Sequence, residues 1–287
     1  MDSFAPALLR LLEATTAAYK RRLLARIERR LERDLRGCFR AQAKQVGRAF
    51  KRLAGGWPRA QQESYRLEEV EAIDADLAAL FAADNSGQAF EVAIGRAARS
   101  GLSAGAASVV AQLALDYSFN LKNPRAVVYL EAHGAELVKK ISETTRADIQ
   151  RIVSYALENG WSYNRTAAAI QRQFRDYYTG DSWWNFDAPR AQLHIDSRAH
   201  LIAVTEAGNA YEAGAAIPVD DLQAAGIEME KYWSSMGDER VSQGCRDNQA
   251  QGWIPVDQAH ASGHMHPLRF PGCRCDELYR RKGDETA

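Results

Sequence analysis

The chain has 287 residues, with 37 basic and 37 acidic side chains and therefore no formal net charge. Apolar residues make up 46% and charged residues 26%, which excludes a disordered chain, a collagen-like fibre and a coiled-coil rod. The charges are segregated, because residues 1–60 have a net charge of +10, residues 61–91 of −7 and the remainder of −3. This asymmetry is typical of a segment that binds a partner, or of two helices with complementary charged faces.

The basic segment is predicted to form a long helix. Apolar residues recur in it at steps of three or four, as at Leu23, Ile27 and Leu31, which is the spacing of one buried face. Gly37 is a candidate interruption, and a Gly-Gly-Trp-Pro run at 55–58 predicts the end of the helix. Arginines on the polar side form a candidate surface for DNA or a protein partner, since phosphate contacts need only cationic side chains. They are Arg22, Arg26, Arg29, Arg30, Arg33 and Arg36.

The pattern beyond the basic segment indicates helix after helix. Further helices are predicted over 67–81, 88–115, from Pro124, over 141–157 and over 163–175. An aromatic loop is expected over 176–189, and a long helix over about 189–214 follows it. From Pro218 the pattern is short and irregular, with a strand expected at Tyr232 and Trp233.

These patterns predict a mainly α protein, in which an N-terminal multi-helix domain precedes a small C-terminal α+β domain. The expected divisions are a basic helical segment at 1–60, a helical domain at 61–185 and the small α+β domain at 190–280. No apolar run approaches the roughly 18 residues that a membrane span needs, and the N-terminus lacks the pattern of a signal peptide. We therefore expect a protein that is made in a reducing cytoplasm and has no membrane partner.

Three of the four cysteines, Cys245, Cys273 and Cys275, lie near the C-terminus. A structural zinc site needs four thiolate or imidazole ligands, and His266, or His264 or His260, is the candidate for the fourth. A disulfide between Cys245 and one of the other two is an alternative, and packed free thiols are a third. Free thiols are favoured, because a Cys-x-Cys pair is tighter than the usual zinc spacing. We therefore expect no cofactor, with zinc kept as an alternative.

The order of motifs after residue 198 resembles the Mu F-like head morphogenesis family, a group of phage minor head proteins. A helix containing Thr205-Glu206 leads to an aromatic strand and to the turn Gly237-Asp238-Glu239-Arg240, and a Cys-Arg-Cys run at 273–275 follows. The residues that match the family motifs are Arg198, Thr205, Glu206, Gly237, Asp238, Arg240, Gly252 and Arg274. Two positions depart from the family pattern, because Ser242 stands where many relatives have cysteine, and Phe270 where they have histidine.

The resemblance implies a minor capsid protein of a tailed phage or prophage. Such a protein joins the head in few copies, associates with the portal vertex inside it, and supports head assembly, DNA packaging or DNA delivery. The implied partners are the portal protein and the scaffold or major capsid protein, with nonspecific DNA as a candidate partner of the basic segment. The implied location is the host cytoplasm during assembly and then the virion interior near the portal vertex.

Two other classes of function stay open. A nuclease or toxin-like effector could use Asp238, Arg240 and Glu206 in phosphodiester chemistry. However, an aspartate after glycine typically stabilises a turn, and we expect Arg240 to pair with Glu206, so a structural protein without catalytic residues is favoured over an enzyme. A nucleic-acid regulator is the third class, and the chain has no helix-turn-helix, zinc finger or zipper pattern.

Overall fold

The computed structural model describes residues 4–55, 86–159, 161, 163–175 and 194–284. The helices in this part of the chain are α1 (Phe4–Gly55), α2 (Ser86–Gln112), α3 (Pro124–Glu158), α4 (Tyr163–Arg175), α5 (Ile195–Ala224) and α6 (Gln243–Ala250). The helix predicted over 67–81 and the aromatic loop predicted over 176–189 lie outside the described residues. Among the described residues, no helix is both long enough and apolar enough to cross a membrane.

The helix α1 runs without a break through Gly37, so the predicted interruption there is wrong. A single glycine costs only about 1 kcal/mol relative to alanine in a helix. Leu35 and Phe39 lie on either side of Gly37, and both side chains are buried. The free energy gained by burying these two large side chains outweighs the low helix propensity of one glycine.

The helix α5 begins at Ile195 and continues past the predicted end near 214, through Pro218, to Ala224. A proline inside a helix removes one backbone hydrogen bond and is normally unfavourable. Here its two neighbours, Ile217 and Val219, are both buried. Packing of these side chains holds the helical backbone where the sequence pattern alone predicts an irregular segment.

A small antiparallel sheet follows α5, and its strands are β1 (Met229–Ser234), β2 (Ile254–Pro255) and β3 (Asp276–Arg281). The strand order is β2-β1-β3, with Lys231 opposite Tyr279 and Trp233 opposite Glu277. The expected strand at Tyr232 and Trp233 is therefore present as part of β1. A mainly helical chain with a small C-terminal sheet confirms the predicted fold class.

The chain divides into two compact units, each assembled from separate parts of the sequence. The first unit contains residues 1–31, 94–133 and 201–287, and the second contains residues 32–93 and 134–200. The predicted divisions near residue 60 and between residues 185 and 190 fall outside the described residues and stay predictions. The sheet and the three C-terminal cysteines belong to the first unit.

Within the first unit, glycines let the backbones of α2 and α5 touch. A Cβ atom added at Gly101 would lie 2.6 Å from the Cβ of Ala210, and one added at Gly105 would lie 2.8 Å from the backbone nitrogen of Ala215. One added at Gly214 would lie 2.6 Å from the Cα of Leu102. All three distances are shorter than real Cβ contacts allow, so the position of α5 against α2 depends on glycine at these sites.

Candidate functional site

Thr205 on α5 contacts the segment that precedes the last two cysteines. Its Oγ1 donates a hydrogen bond to the carbonyl oxygen of Leu201 at 2.7 Å, and accepts one from the backbone N–H of Gly272 at 3.0 Å. Gly272 has a φ of +79°, a conformation that glycine adopts without strain. The contact fixes the backbone immediately before Cys273 against α5.

Asp238 and Arg274 form a two-pronged ion pair that joins two motifs of the sequence. The Nη2 of Arg274 donates to both carboxylate oxygens of Asp238, at 2.9 and 2.7 Å. Asp238 also accepts a hydrogen bond from the backbone N–H of Arg240 at 3.1 Å, which is the turn-stabilising contact expected of an aspartate after Gly237. The hydrogen bond from Arg274 is the main cause of the lowered pKa of Asp238. The pair anchors the backbone between Cys273 and Cys275.

The short helix α6 positions Cys245. Ser242 is its N-cap, and its hydroxyl accepts from the backbone N–H of Cys245. Ser242, expected to depart from the family pattern, is therefore a helix cap in this chain. Gly252 follows the last residues of α6 with a φ of +77°, the left-handed conformation that commonly ends a helix. Buried Asn248 exchanges hydrogen bonds with Ser262, donating to its hydroxyl at 2.9 Å and accepting from its backbone N–H at 2.9 Å.

The sulfurs of Cys245, Cys273 and Cys275 converge, although the first is separated from the others by 28 residues or more. All three side chains are buried free thiols, and their sulfurs lie within 4.8 Å of one another. The sulfurs of Cys245 and Cys273 are 3.9 Å apart. Trp233 and Val241 pack around them. Hydrogen bonding from Cys275, in which both its side chain and its backbone take part, lowers the pKa of Cys273 to about 5.

The three histidines expected to supply a fourth ligand make other contacts. His260 and His266 bond to the two carboxylate oxygens of Glu277, at 2.6 and 2.8 Å. His264 contacts the hydroxyl of Ser262 at 3.0 Å. Among the described residues, the group of converging metal-type ligands therefore consists of the three cysteines.

Glu277 is a buried residue that the sequence reasoning missed. Besides the two histidines, the hydroxyl of Tyr279 donates to its carboxylate at 2.9 Å. Burial alone would raise the pKa of Glu277, but hydrogen bonds from His260 and His266 lower it. The histidine-rich run at 260–266 is the only signal for this centre in the sequence, and it does not say which acidic residue the histidines meet.

A second buried centre, also missed, joins α1 to α5 and β3 within the first unit. The ammonium group of Lys20 donates to the carboxylate of Glu212, to the carbonyl oxygen of Cys275 at 2.8 Å and to Oδ1 of Asp276 at 3.2 Å. Burial alone would lower the pKa of Lys20, but the charges of Asp276 and Glu212 raise it above its usual value. Lys20 is thus a buried structural cation and not part of the exposed basic surface.

The groups that suggest an enzyme are engaged in separate contacts. Glu206 is buried and contacts Nε2 of His133, whose ring stacks on Tyr129 with centroids 4.9 Å apart. Arg240 pairs with Asp238 at 3.6 Å, so the expected pair between Arg240 and Glu206 is wrong. The physical reason is that the turn places Arg240 two residues from a carboxylate, and its exposed side chain reaches that nearer partner.

Arg198, the remaining motif residue, lies in the second unit. Its guanidinium donates to Oγ1 of Thr145 and to the carbonyl oxygen of Ile141, both at 2.7 Å, and lies 4.7 Å from the ring centre of Phe39. Burial lowers its pKa to about 10. These contacts tie the start of α5 to α3 and α1 within that unit.

Five of the six predicted arginines on α1 are exposed, and the described residues give them no ion pair. They are Arg22, Arg26, Arg29, Arg30 and Arg33, here called the arginine face. At 100° per residue they fall within an arc of about 100°, and Glu28, Glu32 and Asp34 lie outside it. Arg36 differs, because it bonds to Glu32 at 2.5 Å and to Asp196 at 3.0 Å.

Residues 147–278 match the model of a protein family described as Phage Mu protein F like protein. The matched segment includes the Thr205, Asp238 and Arg274 contacts and all three C-terminal cysteines. This segment is therefore similar to the Mu F-like family, which confirms the resemblance over these residues. The family indicates a phage head morphogenesis protein of structural type, associated with the virion. No curated protein and no solved structure shows significant similarity to the chain.

Proposed function

We propose that the protein is a minor head protein of a tailed phage or prophage, which associates with the portal vertex inside the head and contacts the packaged DNA through the arginine face. The observation that carries the proposal is the Mu F-like match over residues 147–278. Portal protein is the main partner, with scaffold or major capsid protein as a second during assembly. The protein acts by binding and positioning, in support of head assembly, DNA packaging or DNA delivery.

The arginine face supports the DNA contact. Between residues 22 and 33 the helix rises by about 17 Å, and its outward side presents guanidinium groups without interspersed carboxylates. Such a surface binds phosphates without reading bases, and its affinity falls steeply as salt displaces it from the DNA. Arg36 contributes less to this surface, because Glu32 and Asp196 already neutralise its charge.

The DNA contact is tested with a variant in which Arg22, Arg26, Arg29 and Arg33 are changed to Gln. We expect weaker binding to duplex DNA of random sequence at low salt. The slope of log K against log salt concentration should flatten by about 3 to 4, since each lost phosphate contact changes it by about 0.9. Fluorescence anisotropy over a salt series measures both quantities.

The matched control removes the same number of exposed positive charges elsewhere in the chain. It changes Arg99, Lys122, Arg146 and Arg281 to Gln. This control should alter the salt slope by less than about 1. Equal slopes for the wild type and the α1 variant would rule out the arginine face as the DNA-binding surface.

The location is tested on purified particles of a phage or prophage that encodes the protein. Quantitative mass spectrometry should find a few copies per particle, and asymmetric reconstruction should place them at the single portal vertex inside the capsid. Copies distributed over all vertices would contradict portal association. Absence of the protein from assembled heads would contradict a role as a virion component.

A further inference from the structure

We propose that Cys245, Cys273 and Cys275 bind a zinc ion, and that the Mu F-like motif residues Thr205, Asp238 and Arg274 position these thiols. The chemical class of the ligand is a thiolate-preferring divalent metal. The three sulfurs are buried, and a metal bound to them would link two segments that lie far apart in the chain. It goes beyond the proposed role in the phage head and does not depend on it.

The distances between the sulfurs fit zinc. With zinc–sulfur bonds of about 2.3 Å, two ligands of a tetrahedral site lie about 3.8 Å apart. The sulfurs of Cys245 and Cys273 are separated by 3.9 Å, and all three lie within 4.8 Å of one another. A disulfide has a sulfur–sulfur distance of about 2.05 Å, whereas the distances here leave room for a metal ion between separate thiols.

The backbone around each cysteine is fixed by a contact of its own. Ser242 caps the helix that carries Cys245, and Thr205 holds Gly272, the residue before Cys273. Arg274, between the other two cysteines, is held by both oxygens of Asp238. Such outer contacts are what a metal site needs, because they orient the ligands before the metal arrives.

The immediate surroundings of the three sulfurs are apolar. Trp233 and Val241 cover the sulfurs and keep bulk water away. Within the described residues no histidine or carboxylate joins the group, so these side chains supply three of the four ligands of a tetrahedral zinc ion.

The experiment measures metal in the full-length chain, purified under reducing conditions with zinc in the growth medium. We expect about one zinc ion per chain in the wild type. Cys245→Ser and Cys273→Ser should each retain less than about a tenth of that amount. Cys38→Ser is the matched control, because this cysteine lies in the second unit, and it should retain the wild-type amount. His266→Ala should also retain zinc, since His266 contacts Glu277.

A second measurement covers the case in which the serine variants do not fold. Co²⁺ is exchanged into the wild-type chain, and its absorption is recorded. A tetrahedral Co²⁺ site with three thiolates should give two kinds of absorption. We expect sulfur-to-metal charge-transfer bands and, besides them, intense bands in the visible range. Wild-type protein that takes up neither metal, or that contains a disulfide between Cys245 and Cys273 after reducing purification, would overturn the proposal. Zinc binding that survives both serine substitutions would do the same.

Discussion

The ammonium group of Lys20 illustrates how much a single buried charge depends on its partners. The side chain is 7% exposed, and its carboxylate partners come from α5 and from the start of β3. Removing one member of a buried ion pair leaves the other charges without compensation in a medium that solvates them poorly. Glu212 and Asp276 are both buried, so they would carry that penalty.

We therefore expect Lys20→Met to lower the free energy of unfolding by about 3 to 5 kcal/mol. Methionine is unbranched like lysine and only one heavy atom shorter, so the loss reports mainly the charge and not a cavity. Urea denaturation at neutral pH measures it. Arg22→Met on the exposed side of the same helix is the control and should stay within about 0.5 kcal/mol of the wild type. A Lys20→Met variant as stable as this control would show that the ion pairs of Lys20 contribute little to the free energy of unfolding.

Asp238 predicts a pH dependence of stability. Its pKa is lowered in the folded state by Arg274, so its contribution is present above the unfolded pKa of about 3.9 and is lost as pH falls through the folded pKa. Asp238→Asn should therefore lower the melting temperature at pH 6, and the difference from the wild type should shrink below about pH 4. Thermal melts across this range measure it. The control is Glu239→Gln, a neighbouring exposed change, which should leave the dependence of melting temperature on pH unaltered. A difference between Asp238→Asn and the wild type that stays constant at every pH would contradict the role of Asp238.

At the scale of elements, the contact between α2 and α5 is the least tolerant feature of the first unit. Gly105→Ala would place a methyl group against the backbone of Tyr211 and Ala215, which can move only if the helices separate. We expect a loss of at least about 2 kcal/mol, as overpacking against rigid backbone usually produces. Chemical denaturation measures the change.

Gly95→Ala is the matched control on the same helix. Its added methyl group meets only the guanidinium of Arg99 at 3.5 Å, the mobile end of a long side chain. Alanine is favoured over glycine inside a helix by roughly 0.5 to 1 kcal/mol, so this variant should be slightly more stable than the wild type. The changes in the free energy of unfolding should have opposite signs in the two variants. Equal gains in stability would show that helix propensity and not the contact decides.

The elements also show what sequence patterns can and cannot predict. The helix α4 has the bounds that the sequence predicts. Ile170 and Phe174 are four residues apart, so they lie on one face of the helix, and polar residues separate them. The strand β3 was not predicted, because it begins with Asp276 and Glu277, which look like surface residues. Their burial depends on Lys20 and His260, and no local pattern connects residues so far apart.

The same distinction holds for the candidate site. The Cys-Arg-Cys run at 273–275 and the turn at Asp238 were visible in the sequence, because they are short motifs with local spacing. The partner of Asp238 was not, since Arg274 is 36 residues away and Arg240 and Glu206 offered a plausible alternative pair. Spacing identifies which residues matter, whereas their pairing follows from the packing of α5, α6 and β3 in three dimensions.

At the scale of the whole molecule, α1 has two roles. Its outward side carries the arginine face, and its other sides supply buried residues to both compact units: Leu24 and Leu31 to the first, Leu35, Phe39 and Val46 to the second. Deleting residues 1–60 would therefore remove core side chains as well as positive charge. Loss of DNA binding in such a deletion would not identify the surface responsible.

We expect the chain without residues 1–60 to lose its cooperative unfolding transition, because each unit loses buried apolar area at once. Circular dichroism during urea titration measures this. The variant with four arginines of the arginine face changed to Gln should keep the wild-type midpoint, since those side chains are exposed. A deleted chain that unfolds cooperatively at the wild-type midpoint would contradict the core role of α1.

The buried ion pairs of Lys20 have a consequence for folding during synthesis. Its partners Glu212 and Asp276 are 192 and 256 residues further along the chain. At about 5 to 20 residues per second, the ribosome adds Asp276 roughly 13 to 50 s after Lys20. During part of that interval Glu212 is already made, whereas Asp276 is not. Translation of β3 therefore completes the buried contacts of Lys20, and a chain released before β3 cannot form all of them.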